Sequence, residues 1–240
     1  MAFVRTVDID PLPPERYASV LNPTQVEAFQ KAVGSAGSVF EGRAVWNVNS
    51  TSVGGGVAEM LRSLLAYARG AGVDARWAVI SGNLEFFEVT KRIHNHLHNF
   101  AGDGGALGDE ERVKYEAALR PNAEEFEAMV GPRDVILLHD PQTAGLIPGL
   151  KRVGLPVIWR CHVGVDTPDE LSRGAWNFLR PYVAQADADV FSRRSFVSWS
   201  WSRTEPRPSR APGRLIPDVV CFLHVDTAGG AVVRSDTAAA

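Results

Sequence analysis

Two spacings of apolar residues alternate along the middle of the chain. Short runs rich in valine, isoleucine and tryptophan are typical of strands, whereas longer stretches with apolar residues three or four positions apart are typical of helices. The short runs predict strands at 44–49, 75–80, 134–139, 156–160 and 189–192. The longer stretches predict helices at 57–69, 84–97, 109–129, 142–152 and 170–186, the third interrupted near Pro121.

This alternation predicts the fold class. The run at 134–139 is almost entirely apolar, as in a parallel strand that is covered on both faces. Strands that alternate with helices build a parallel sheet with helices on both sides. We therefore predict an α/β, doubly wound, Rossmann-like domain over residues 41–192.

The two ends of the chain lack this alternation. Residues 1–40 predict an extension with an extended lead-in and one or two short helices, the second capped at Asn22. Residues 193–240 are rich in arginine, serine and proline, and then in alanine, with one strand predicted at 215–225. We expect an irregular tail there, poorly ordered or loosely docked.

Composition narrows the class of protein. A net charge of -3 implies no general attraction to nucleic acid or to an anionic membrane. Cys161 and Cys221 are the two cysteines, so neither a disulfide framework nor a structural zinc site is predicted. The first residues do not resemble a signal peptide, and no apolar stretch approaches the roughly 20 residues of a membrane span. We expect a cytoplasmic protein.

Four polar segments follow predicted strands. The carboxyl ends of parallel strands meet at one edge of a sheet, where open α/β sheets bind ligands. We therefore predict a binding site formed by residues 49–56, 81–83, 139–142 and 160–166.

Gly54, Gly55 and Gly56 open the predicted helix at 57–69. Glycines let a ligand approach the backbone, and a helix start offers free N–H groups, so the segment suits a phosphate or diphosphate. The alternative is a tight turn between strand and helix. The spacing matches neither the dinucleotide fingerprint nor a Walker loop.

Three histidines, His94, His96 and His98, stand close together. His94 and His98 share a helix face, as zinc ligands can, but no carboxylate or cysteine stands at a supporting spacing, so no metal is predicted. His94 and Asn95 are better candidates for sugar hydroxyls. Lys91 lies near His94 and is a further candidate, unless it belongs to a solvated helix face.

The strand end at 139–142 has two interpretations. His139 can donate to a sugar hydroxyl or a phosphate oxygen, and Asp140 can bind sugar hydroxyls. Alternatively, Asp140 caps the following helix, whose first position suits Pro141.

The next strand end offers Arg160 and His162 as cleft groups. The alternative for Arg160 is a salt bridge to a nearby acid such as Asp166. Trp159 and Trp176 are more typical of core residues than of platforms for a sugar.

Four motifs together resemble the trehalose synthases, which are retaining glycosyltransferases of the GT-B fold. They are NSTSVGGGVAEML at 49–61, FFEVTKRIHN at 86–95, HDPQ at 139–142 and WRCH at 159–162. The resemblance runs from about residue 15 to residue 192. It implies the N-terminal half of a two-domain enzyme that transfers glucose from a nucleotide-glucose to glucose, with retention and without a metal or other cofactor.

The resemblance also implies roles for particular residues. Gly55 and Gly56 would meet the donor diphosphate, and His94, Asn95, His139, Asp140 and Arg160 would line the sugar cleft. Together with the residue patterns, this makes Gly54, Gly55 and Gly56 the candidates for binding the donor phosphates, and His139, Asp140 and Arg160 the catalytic candidates. Candidates for sugar binding are Asn49, Lys91, His94, Asn95, Gln142, His162 and Asp166. The expected partners are nucleotide-glucose and glucose or trehalose, with a homodimer as one expected assembly.

The family's C-terminal domain has no counterpart here, because the resemblance fades just after Phe196. A truncated or frameshifted gene product is our hypothesis for residues 193–240. A trehalose phosphorylase that uses glucose 1-phosphate and a non-catalytic sugar- or phosphate-binding module remain alternatives.

Overall fold

The computed structural model describes residues 2–193 and 195–196, together with the backbone of 232–235. Its strands are β1 (Val4–Val7), β2 (Ala44–Asn49), β3 (Asp74–Ile80), β4 (Val135–His139), β5 (Val157–Cys161), β6 (Ala188–Phe191) and β7 (Val232–Ser235). Its α-helices are α1 (Pro23–Val39), α2 (Gly56–Gly70), α3 (Leu84–Leu97), α4 (Asp109–Met129), α5 (Ile147–Arg152) and α6 (Glu170–Val183). Two 3-10 helices add Pro14–Ser19 and Pro141–Leu146.

The strands form one sheet in the order β1-β3-β2-β4-β5-β6-β7. The five central strands are parallel to one another, and β1 and β7 pair with the outer two of them as antiparallel edge strands. The carboxyl ends of β2, β4 and β5 therefore lie side by side. This confirms the predicted α/β, doubly wound architecture.

Helices cover both faces of the sheet. Side chains of successive strand residues point to opposite faces, so each strand contributes apolar residues to the core on both sides. Trp46 and Val48 pack on one face with residues of α3, α4 and α6. Trp77 packs on the other face with Leu61 and Leu65 of α2. Trp159 and Trp176 are buried in the first cluster, as predicted.

A buried carboxylate fastens the amino ends of two central strands. Asp134, which precedes β4, accepts hydrogen bonds from the backbone N–H of Ala44 at 2.9 Å and from Nε1 of Trp46 at 2.9 Å. It also accepts the N–H of Gly131 at 2.8 Å. Burial alone would raise the pKa of Asp134, but these hydrogen bonds outweigh it and lower the pKa. Asp134 thereby fixes the register of β2 against β4.

Two elements differ from the sequence prediction. Helix α4 runs through Pro121 without a break. Leu119 and Phe126 on either side of the proline are almost fully buried. Their burial stabilises the helix by about 2 to 3 kcal/mol each, which offsets the roughly 3 kcal/mol that an internal proline costs. The predicted lead-in contains β1, whose register on β3 is continued by a hydrogen bond from Ser81 to the carbonyl of Phe3.

The predicted extension and tail are described only in part. Asn22 caps α1 through a capping box with Gln25, as predicted, and this helix continues to Val39. The predicted strand at 215–225 lies outside the described residues. Strand β7 lies within the predicted tail and pairs with β6. In the described part of the chain, no helix has the length and apolar character needed to cross a membrane.

We expect Asp134→Ala to lower the free energy of unfolding by about 3 kcal/mol, because it leaves buried donors without an acceptor. Urea unfolding followed by tryptophan fluorescence measures this change. The control is Asp74→Ala, which removes an exposed pair with Arg76 and should cost less than about 1 kcal/mol. Equal effects of the two substitutions would refute the fastening role of Asp134.

Candidate functional site

A cavity of about 440 Å³ lies at the carboxyl edge of the sheet. Three of the four predicted segments meet there, and α3 contributes His94. The lining residues are Asn49, Ser50, Thr51, Gly54, Gly55, Gly56, Val57, Ala58, Met60, His94, His139, Asp140, Gln142, His162 and Val163. The fourth segment, 81–83, does not line this cavity, which corrects the prediction. Asn83 instead caps α3 by accepting the N–H of Phe86.

The glycine segment forms one wall of the cavity. Gly54 and Gly55 have φ angles of 69° and 87°, which side-chain-bearing residues rarely adopt, and α2 begins at Gly56. Space is open beside all three glycines, so their backbone is accessible to a ligand. Asn49 shapes this wall: its Oδ1 accepts from Nε1 of Trp77 at 2.8 Å, and its Nδ2 donates to the carbonyl of Thr51 at 2.7 Å.

Two histidines form a second wall of the cavity. Nδ1 of His139 lies 3.1 Å from Nε2 of His162, and Nε2 of His139 lies 3.0 Å from Oδ1 of Asn47. Burial and the neighbouring charges lower the pKa of His139 well below its ordinary value and that of His162 to about 4, so both rings are neutral at pH 7. Both ring nitrogens of His139 are engaged by the protein. A direct contact between one of them and a ligand would require breaking a hydrogen bond.

Asp140 occupies a strained backbone conformation, with φ 64° and ψ 176°. This region is close to glycine-only and costs about 1 to 3 kcal/mol, and such residues cluster at functional sites. Asp140 does stand at the predicted cap position before Pro141, but its side chain does not cap the helix. Its Oδ1 accepts the backbone N–H of His162 at 2.7 Å. Burial raises the pKa of Asp140 to about 6, opposed by that hydrogen bond and by Arg160.

Arg160 supplies positive charge beside Asp140 but is not among the residues that line the cavity. Its Nε is buried and has no hydrogen-bond partner among the described residues. The alternative salt bridge to Asp166 does not form. Asp166 is exposed and pairs with Arg193 at 3.0 Å, outside the cavity. The structure therefore does not bring Asp166 to the cavity with the other candidates for sugar binding, and its predicted role stays a prediction.

A second chamber of about 620 Å³ adjoins the first. His94 and Gln142 line both chambers, whereas Lys91 and Asn95 line only the second. The ring of His94 lies 4.9 Å from that of His98, and burial lowers the pKa of His94. Within the described residues, no group of three or more His, Cys, Asp or Glu side chains is placed to hold a metal ion.

Comparison with known proteins extends this picture. Residues 47–198 match the family model described as trehalose synthase, N-terminal domain. The chain belongs to the trehalose synthase family. The matched region contains all the predicted site residues.

Relatives of this trehalose synthase family member are longer proteins. This chain is 37% identical over 183 residues to a trehalose synthase of Pyrococcus horikoshii. The match covers 76% of this chain and 41% of the relative. This chain is 30% identical over 151 residues to a trehalose phosphorylase of Grifola frondosa, covering 58% of this chain and 21% of that protein. The chain thus spans about two fifths of the length of the trehalose synthase that it matches.

The described part of the chain has the fold of one part of the GT-B glycosyltransferases. It superimposes on the crystal structure of an α,α-trehalose-phosphate synthase (UDP-forming) from Burkholderia vietnamiensis with a TM-score of 0.51 and 15% identity. The match covers 66% of this chain and 42% of that one. The likeness therefore concerns a glycosyltransferase-like domain within a larger fold.

Sequence reasoning missed one residue of the site. Asn47 lies inside an apolar strand and is 3% exposed, yet it contacts His139. The available signal was a polar residue in a strand predicted to be buried, since such residues require a hydrogen-bond partner.

We expect Asp140→Asn to become more stable relative to the wild type as the pH rises. The pKa of Asp140 is raised from 3.8 to about 6 on folding, so ionisation of this carboxyl destabilises the native state above pH 4, with the full cost above pH 6. Asparagine removes that cost. The difference in unfolding free energy should therefore grow by about 2 kcal/mol between pH 4 and pH 7, at 1.36 kcal/mol per pKa unit.

Urea unfolding of both proteins across this pH range provides the measurement. Asp166→Asn is the matched control, because it makes the same substitution at an exposed carboxyl outside the cavity. A pH-independent difference for Asp140→Asn would show that the native carboxyl titrates normally.

Proposed function

We propose that this chain is the acceptor-side half of a retaining glucosyltransferase that makes trehalose from a nucleotide-glucose and glucose. The observation that carries the proposal is that two unlike walls line one cavity. The glycine wall at the start of α2 offers N–H groups, and the second wall offers Asp140 and His162 for sugar hydroxyls, with His139 held behind them by its own hydrogen bonds. The family membership supports the same class of reaction.

Each wall has a separate task in the proposed reaction. The N–H groups at Gly54–Gly56 and the helix start would stabilise the negative charge of the donor diphosphate. Asp140 and His162 would hold sugar hydroxyls, and the positive charge of Arg160 would favour the ionised form of Asp140. The acceptor would attack on the face from which the diphosphate leaves, and the leaving phosphate oxygen would take the acceptor proton. The chain's contribution is then positioning and charge stabilisation, and no metal or other cofactor is needed.

Part of the proposed site would come from a second, nucleotide-holding domain. Since the chain spans 41% of its Pyrococcus horikoshii relative, we propose that turnover needs such a domain. Binding energy from the nucleotide would otherwise be missing in the transition state. The alternative phosphorylase reaction, with glucose 1-phosphate as donor, uses the same two walls and is supported by the similarity to the Grifola frondosa protein.

Calorimetric titration with glucose, trehalose, UDP-glucose and ADP-glucose tests the proposal, together with an assay for trehalose formation. The assay is run on the chain alone and on the chain mixed with the C-terminal part of the Pyrococcus horikoshii relative. Sugar binding with turnover only in the mixture supports the acceptor-side half. Trehalose formation from glucose 1-phosphate but not from nucleotide-glucose supports the phosphorylase. A folded chain that binds none of these ligands contradicts both.

We expect Gly56→Ala to weaken UDP-glucose binding about tenfold, or by 1.4 kcal/mol. Gly56 has no positive φ and open space beside it, so the added methyl group enters the cavity without straining the fold. Stability should stay the same or rise by up to about 1 kcal/mol, as for alanine in place of glycine in a helix.

Gly174→Ala is the matched control, because Gly174 also lies in a helix with open space beside it but outside the cavity. It should give a similar stability change and unaltered affinity. If Gly56→Ala binds UDP-glucose as tightly as Gly174→Ala, the glycine wall does not contact the donor.

A further inference from the structure

Three buried or half-buried side chains form a hydrogen-bonded row that includes the two histidines of the second wall and the buried Asn47 beside them. Oδ1 of Asn47 lies 3.0 Å from Nε2 of His139, and Nδ1 of His139 lies 3.1 Å from Nε2 of His162. All three residues lie at the same edge of the sheet: Asn47 on β2, His139 at the end of β4 and His162 just after β5. The row ends at the cavity, which His162 lines.

The direction of these hydrogen bonds follows from counting protons. The carbonyl oxygen of Asn47 only accepts, so Nε2 of His139 must carry a proton and donate it. A neutral imidazole has one N–H, so Nδ1 of His139 is then an acceptor. Its partner, Nε2 of His162, must therefore be protonated, which leaves Nδ1 of His162 without a proton.

We propose that Asn47 is a positioning residue that sets the tautomer of His139 and, through it, that of His162, so that Nδ1 of His162 faces the cavity as a hydrogen-bond acceptor. The consequence for a ligand rests on the proposed function, whereas the tautomers do not. Among the described residues, Nδ1 of His162 has no hydrogen-bond partner.

The electrostatic surroundings keep the row in this state. Burial, the mutual proximity of the two rings and the positive charge of Arg160 all disfavour a second proton on His139. Burial and Arg160 likewise lower the pKa of His162 to about 4. Each ring therefore has a single N–H at pH 7, as the proton count requires.

The proposed tautomer selects the chemistry of the group that binds beside His162. An unprotonated ring nitrogen accepts a hydrogen bond, so a sugar hydroxyl fits this position. A fully ionised phosphate oxygen does not fit, because it also only accepts. The opposite tautomer would reverse this preference. Asn47, which does not line the cavity, would thus determine which end of a sugar phosphate lies against this wall.

Nuclear magnetic resonance of the full chain labelled with ¹⁵N-histidine tests the proposal directly at pH 7. Long-range ¹H–¹⁵N correlation spectra distinguish a protonated from an unprotonated ring nitrogen. We expect both His139 and His162 as Nε2–H tautomers. A wild-type spectrum with the proton of His139 on Nδ1 overturns the proposal without any variant.

Asn47→Leu then tests the cause. Leucine has a similar size and no acceptor, so the proton of His139 should move from Nε2 to Nδ1. Nδ1 of His139 then donates to Nε2 of His162, and the proton of His162 should therefore move to its own Nδ1. The matched control is Asn49→Leu, because Asn49 is a second buried asparagine on β2 whose amide contacts Trp77 and Thr51 and neither histidine. In Asn49→Leu, both His139 and His162 should keep the tautomers of the wild type. A tautomer change in both variants, or in neither, contradicts the specific role of Asn47.

Titration with trehalose separates this proposal from the proposed function. Asn47→Leu should bind trehalose about tenfold more weakly than the wild type, because the group beside His162 then faces a donor. If the wild type shows the expected tautomers but binds no sugar, the proposed function fails and the tautomer assignment stands. Unchanged trehalose affinity in a variant with switched tautomers refutes the role of His162 as a sugar acceptor.

Discussion

The left-handed backbone of Asp140 is the constraint on which the site depends. Its N–H donates to the carbonyl of Arg160 at 2.8 Å, and its carbonyl accepts from Nε1 of Trp159 at 3.1 Å. Its carboxylate holds the N–H of His162. Strain of this kind persists only where surrounding contacts over-determine the conformation. The ladder between β4 and β5 provides those contacts, so the fold itself holds the carboxyl group at the cavity.

That position has an electrostatic consequence. A carboxyl group with a raised pKa and two histidines with lowered pKa values share one small region with Arg160. Burial is the largest cause in all four groups and disfavours each charged form. Strongly perturbed groups of this kind, gathered in a cleft, are typical of functional sites, although structural networks also perturb pKa values. Here the perturbed groups adjoin the glycine wall, which favours the functional interpretation.

Local pattern explains how much could be predicted from the sequence. The ends of the strands follow from the periodicity of the sequence. Because the carboxyl ends of parallel strands meet at one edge of a sheet, the sequence also predicted that the glycines, His139, Asp140 and His162 lie together. Non-local contacts explain the errors. The burial that carries α4 through Pro121 and the pairing of β1 with β3 both involve residues distant in sequence. The pairing of Asp166 with Arg193 and the contact of Asn47 with His139 also join residues distant in sequence. No rule based on sequence spacing gives the direction in which those side chains point.

The two walls together define the ligand better than either wall alone. The glycine wall offers backbone donors and the positive end of a helix, which suit an anionic oxygen. The second wall offers acceptors in Asp140 and, as proposed, in Nδ1 of His162, which suit hydroxyl donors. Free phosphate would satisfy only the first wall, and free glucose only the second. Under the proposed function, a glucosyl group attached to a phosphate would satisfy both walls at once.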